Sequence, residues 1–165
     1  MRKLSCILLL FLTFFSCKEK EQSPDQNSLD TLEFDYQKMP KRTGINPEAT
    51  EILNEWSEFQ DFNSSFTVLY KATNNEDLVL AIDELIKKEE ELAKSEYPET
   101  FDEFQIKSRQ RVVKTYLFKV KASIVNNTKT TEPTIEMIKA YNAFRAQLNV
   151  LVNSQLDKKL ILDES

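Results

Sequence analysis

Residues 78–103 read LVLAIDELIKKEEELAKSEYPETFDE, and their pattern decides the fold. Leu78, Ile82, Leu85, Leu92 and Ala93 recur at the 3-4 spacing that places side chains on one face of an α-helix. Pro98 stops that helix, because the residue before a proline avoids the helical region. Thr100-Phe101-Asp102-Glu103 then matches a capping box that opens another helix. Two helices joined by so short a turn fold back on each other to bury their apolar faces.

The same signals continue outward in both directions. Asn46-Pro47-Glu48 supplies an N-cap, a proline at the first helical position and an acid in the first turn. Helix one is expected from about Pro47 to Ala72, and Thr73-Asn74-Asn75 breaks it with an Asn able to cap its successor. Helix two runs from about Glu76 to Glu96 and helix three continues to about Val125. A polar turn from Asn126 to Thr131 follows, and Pro133 opens a fourth helix ending near Leu160. No glycine occurs after Gly44. The expectation is an all-α chain, an antiparallel up-down four-helix bundle over residues 46–162, each helix roughly 30–40 Å long.

Each helix carries an apolar stripe. Helix one offers Ile52, Trp56, Phe59, Phe66 and Tyr70. Helix three offers Ile106, Val113, Leu117, Val120 and Ile124. Helix four offers Met137, Tyr141, Phe144, Leu148, Leu151 and Val152. Four polar residues interrupt these stripes. Asn63 lies on the Ile52-Phe59-Phe66 line, Glu89 lies between Ile82, Ile86 and Ala93, Arg109 lies between Ile106 and Val113, and Arg145 flanks the stripe of helix four. Folding about residue 98 or 99 sets Glu89 opposite Arg109 and brings Asn63 and Arg145 within about one turn. A buried charge is costly alone and tolerable when paired. The expectation is therefore a Glu89–Arg109 ion pair in a buried polar layer with Asn63 and Arg145. Such a layer fixes helix register or, as the second reading, holds a small polar or anionic ligand. Phe118 falls off its stripe, beside Lys114 and Lys121, and reads first as a scattered surface aromatic and second as the best candidate for an exposed aromatic contact.

Upstream of the helices the character changes. Met1-Arg2-Lys3 is a short basic start, Cys6 to Phe15 is an almost purely apolar run, and Ser16-Cys17 precedes polar Lys18-Glu19-Lys20-Glu21-Gln22. The run is too short to span a bilayer and has the proportions of a secretory core segment. Phe14-Phe15-Ser16-Cys17 resembles the lipobox of bacterial lipoproteins, with Phe at −3 and −2 where Leu and a small residue are usual. It is similar to the looser lipoboxes of the Bacteroidetes type, and Lys18-Glu19-Lys20-Glu21 resembles their charged export stretches. This likeness implies a signal peptide over residues 1–16, a lipidated Cys17 and a cell envelope location on the outer membrane. Asp30-Thr31-Leu32 resembles the short O-glycosylation site of the same bacteria. Residues 17–45 read as a flexible tether interrupted by Pro24, Pro40 and Gly44, within which Leu32-Glu33-Phe34-Asp35-Tyr36 alternates like a short strand. Phe34 and Tyr36 are therefore candidate partner contacts.

Composition narrows the chemistry. The chain has 22 Lys and Arg against 27 Asp and Glu, and loss of Arg2 and Lys3 with a signal would move its net charge from −5 to −7. Such a balance disfavours nucleic acid as a partner, which needs a basic face. There is no histidine, so His-based triads, His-ligated haem and His-containing zinc sites are absent. Only two cysteines exist, and Cys6 would leave with the signal, so no disulfide forms within the mature chain. No glycine-rich phosphate loop occurs. The reading is a membrane-anchored extracytoplasmic module that binds or scaffolds a protein or envelope component, without catalysis, cofactor or metal.

Overall fold

The computed structural model describes residues 39–163. Cys17, Thr31, Phe34 and Tyr36, with the expected signal and most of the expected tether, lie outside the described residues. Within them the chain is all-α: α1 (Pro47–Asn54), α2 (Ser57–Leu69), α3 (Asn75–Lys94), a 3-10 turn (Glu99–Phe101), α4 (Phe104–Val125) and α5 (Thr131–Asp163). Neighbours in sequence pack together, α2 on α3, α3 on α4 and α4 on α5, while α1 lies against α2 and α5.

The caps follow the local sequence. Asn46 accepts the Ala49 amide at 2.8 Å with Pro47 at the first helical position. Asn74 accepts the Asp77 amide at 2.8 Å, and the Asp77 carboxylate takes the Thr73 amide in return at 3.1 Å. Asn127 turns left-handed at φ 52° to end α4, a conformation that Asn tolerates better than most residues.

Two expected boundaries are wrong, and one aromatic cluster explains both. The anticipated helix over Pro47–Ala72 breaks at Glu55-Trp56, where Trp56 adopts φ −101°, ψ 89°. The break turns the indole inward, where it stacks on Phe59 at 5.7 Å and Phe101 at 6.5 Å. Its N–H donates to Ser95 Oγ at 2.8 Å, satisfying the polar end of a buried ring. The Leu53 carbonyl at the break accepts the Trp56 amide at 3.1 Å and Gln60 Nε2 at 2.8 Å. Likewise Thr100-Phe101-Asp102-Glu103 caps nothing: Phe101 is fully buried beside Trp56, which draws the segment into a 3-10 turn, and α4 begins after Glu103 with no side-chain cap.

The core is aromatic where α2 meets α5. Tyr141 lies face to face with Phe66, centroids 3.5 Å apart and planes 4° apart, and edge-on to Phe62 at 5.7 Å. Phe59 meets Phe144 at 6.2 Å. Leu78, Ile82, Leu85 and Leu92 fill the α3 side and Ile106, Val113, Leu117 and Val120 the α4 side. Ala93, expected in the α3 stripe, is exposed.

The end of the expected tether is not free. Residues 41–46 form a strap held along α5 by asparagines seven residues apart. Asn142 accepts the Thr43 amide and donates to the Lys41 carbonyl, both at 2.8 Å. Asn149 accepts the Asn46 amide at 2.9 Å and donates to the Gly44 carbonyl at 3.0 Å. Between them Arg145 Nε donates to the Thr43 carbonyl at 2.6 Å. Seven residues of helix rise about 10.5 Å, close to the length of three extended residues, so the two ladders stay in step. Met39 and Ile45 pack on the core, and Tyr70 donates to the Pro40 carbonyl at 2.5 Å. Each asparagine bond contributes about 1 kcal/mol net. Asn142→Ala is therefore expected to speed amide hydrogen exchange at Thr43 on the order of 10-fold while leaving α3 amides unchanged, measured by exchange mass spectrometry or NMR.

Candidate functional site

Among the described residues, three features are candidates for a site, two of them polar and one an exposed apolar row. The first is a cleft of about 760 Å³ where α3, α4 and the intervening turn meet. Its floor is Glu89, only 1% exposed although charged. Gln110 Nε2 donates to Glu89 Oε1 at 3.2 Å, and Tyr97 OH donates to Gln110 Oε1. Glu89 Oε2 accepts no hydrogen bond, with the Lys114 ammonium the nearest cation at 3.2 Å. Burial raises the Tyr97 pKa, opposed by its bond to Gln110 and reinforced by the charge of Glu89. Lys107, over the Tyr97 ring at 5.1 Å and paired with Asp102, and Arg111 complete the rim.

The second is a polar knot between α2, α5 and the strap. Asn63 Oδ1 accepts from Tyr141 OH at 2.7 Å and from Arg145 Nη1 at 2.6 Å. Arg145 is 8% exposed and meets only neutral acceptors among the described residues. It borders a small cavity of about 230 Å³ lined also by Thr50, Asn54 and Gln60. Burial raises the Tyr141 pKa, with the Arg145 charge working against it.

The third is the outer face of α4. Phe104 is 73% exposed, Phe118 46% and Val125 71%, all on one side of the helix. Arg111 lies over the Phe104 ring at 5.8 Å. The lysines beside this face are each paired within the domain. Lys114 reaches Glu89 and Glu90, Lys119 reaches Glu136, and Lys121 reaches Asp83 at 2.5 Å.

The four-residue polar layer expected from sequence therefore separates into two clusters, and its central pair is not formed. Asn63 and Arg145 are directly bonded. Glu89 is buried, but Arg109 is exposed; Gln110 occupies the facing position on α4 and Lys114 supplies the cation. The reason is helical phase: Ile106, Gln110, Val113, Leu117 and Val120 step 4-3-4-3 along the buried face, which turns Arg109 outward. That phase is present in the sequence, since only Gln110 continues the spacing set by Val113, Leu117 and Val120. Tyr97, Phe104 and the strap asparagines were not anticipated, whereas Phe118 is exposed as its position off the stripe requires.

Among the described residues no group of three or more carboxylates or thiols is placed to hold a metal ion, and no helix is long and apolar enough to cross a membrane. Comparison with protein-family models, with characterised proteins and with solved structures gives no match.

The pairing scheme has two measurable consequences. Lys114→Ala is expected to cost about 1–3 kcal/mol in urea unfolding, because it strands a buried carboxylate. Adding Glu89→Leu should recover most of that loss, and Arg109→Ala should stay within about 0.5 kcal/mol of the parent. The raised pKa of Tyr97 and Tyr141 means that the folded state favours the neutral phenol. That stabilisation is fully present below the unfolded tyrosine value and is lost as pH rises through the folded one. The urea midpoint should thus fall above about pH 10, and fall less in Tyr141→Phe.

Proposed function

We propose that this chain is a lipid-anchored envelope protein whose helical domain acts by binding a protein partner through the outer face of α4. The observation that carries this reading is the apolar stripe of Phe104, Phe118 and Val125 standing in solvent. Exposed aromatics aligned on one helix face serve recognition more readily than folding. We also infer that α2, α3, α4 and α5 form the antiparallel up-down bundle, which successive packing through short connections supports.

The anchor part of the proposal rests on the lipobox-like Phe14-Phe15-Ser16-Cys17 and the charged residues after it. Acyl chains on Cys17 would contribute about 0.8 kcal/mol per buried methylene, enough for lasting attachment when two or more are present. On this reading the module resides at the outer membrane and scaffolds a protein or envelope component, with no role for nucleic acid.

A second reading is favoured by the Glu89 cleft. A buried carboxylate at the floor of an open cleft, one oxygen lacking a hydrogen bond and held only by the Lys114 ammonium, suits a small polar ligand carrying a donor. The strongly held Arg145 cavity is the corresponding place for an anion.

Cys17→Ser decides the anchor. The variant is expected in the soluble fraction, or retained as an unprocessed precursor, whereas the parent stays with membranes after a high-salt wash. A fully processed Cys17→Ser chain that remained membrane-bound would overturn the anchoring. A photoreactive amino acid at Phe118 in intact cells should crosslink strongly to protein, and the same group at Val150 should not. Equal labelling from both positions would remove the α4 face from the function.

A further inference from the structure

We propose that the occupant of the α4 face is a second copy of the same face, giving an antiparallel dimer about a two-fold axis between Tyr116 and Leu117. This inference rests on the protein-binding reading above and names its partner.

The face is a coiled-coil seam left in solvent. Phe104, Arg111, Phe118 and Val125 recur every seven residues, and Ser108, Thr115 and Ala122 lie four residues after the first three of them. Steps alternating between four and three are the spacing that keeps one face toward a partner helix. Large residues alternate with small ones along it. Thr115 and Ala122 are exposed and Ser108 is half-buried, so the small positions are open hollows beside the large ones. Such a face complements itself when one helix is reversed, Arg111, Phe118 and Val125 each then meeting a small position of the other while Phe104 lies at the end of the contact.

Electrostatics selects the register. Residues 104–125 contain no acid and six cations, which at first argues against self-pairing. Yet Lys107, Lys114, Lys119 and Lys121 are each neutralised by acids of their own chain. Among the described residues, Arg111 is the seam position that brings a cation with no ion pair. One reversed register seats Phe104 opposite Ala122 of the second copy, but sets the two Arg111 positions about 6 Å apart along the axis, inside the screening length of about 8 Å. Sliding the helices to oppose Thr115 and Phe118 separates the Arg111 positions by about 16 Å, where salt screens them. The second register also brings the two Phe118 rings together at the centre. It places Arg111 opposite Ala122 and Val125 opposite Ser108 of the second copy.

An interface of this length is at the small end of specific contacts, so association in solution should be weak, with a midpoint on the order of 100 μM. Confinement of anchored copies to one membrane surface would raise their effective concentration and populate the pair.

The test uses the purified full chain in mild detergent, in a Cys6→Ser, Cys17→Ser background. Sedimentation equilibrium should show a monomer–dimer transition that Phe118→Glu moves at least 10-fold to higher concentration, with helix content and thermal midpoint unchanged. Mild oxidation of a mixture of Arg111→Cys chains and Ala122→Cys chains should give a disulfide dimer, whereas neither variant should crosslink when alone. Crosslinking of each with itself would mean parallel pairing and would overturn the proposal. A chain that remains monomeric at 10 times the expected midpoint would do the same. If that monomer still crosslinks from Phe118 to a different protein in cells, the binding function stands and self-pairing falls. Loss of both signals fails the two together.

Discussion

Tyr141 is the residue on which the arrangement depends. Its ring lies flat on Phe66 and edge-on to Phe62, joining α2 to α5 through the most closely spaced aromatic contact described. Its hydroxyl then leads out of the core, donating to Asn63, which also receives Arg145. Arg145 in turn lies 5.6 Å from the Tyr141 ring centre and holds the Thr43 carbonyl of the strap. One side chain thus couples apolar packing to a polar knot and the knot to the segment entering the domain. A phenol suits this position because burial favours its neutral form, leaving a donor permanently available.

The all-α class, two of the caps and most of the core are legible in the sequence because they depend on local period. Asn46 and Asn74 cap as their type and position require, and Leu78, Ile82, Val113, Leu117 and Tyr141 are buried where the 3-4 spacing puts them. The errors lie where tertiary demand overrode local pattern. Nothing near Trp56 in sequence announces a helix break; the indole needs Ser95, thirty-nine residues away, and Phe101 beyond it. The Thr100-Phe101-Asp102-Glu103 motif failed for the same cause.

The polar residues were harder. Glu89 is buried as its place in the stripe requires, but its cation is Lys114 and not Arg109, and its hydrogen-bond donor is Gln110. A stripe interrupted by a polar side chain admits two phases locally, and only the downstream spacing of Val113, Leu117 and Val120 separates them. The strap could not be read at all from periodicity. Asparagines at 142 and 149 look like ordinary solvent-facing residues until an extended segment lies across them. The lysines of α4 carry a related lesson: their charge, conspicuous in sequence, is cancelled by acids of α3, α5 and the turn before α4.

The strap also defines how the domain meets tension. Any pull arriving from residues before Met39 enters through Pro40 and then reaches Lys41, Thr43, Gly44 and Asn46 in that order. A pull that lifts the strap away from α5 meets these bonds in succession and opens them in succession, so the strap then peels like a zipper. Between Pro40 and Asn46 the chain therefore holds a short length of releasable slack, a mechanical fuse in front of the folded helices.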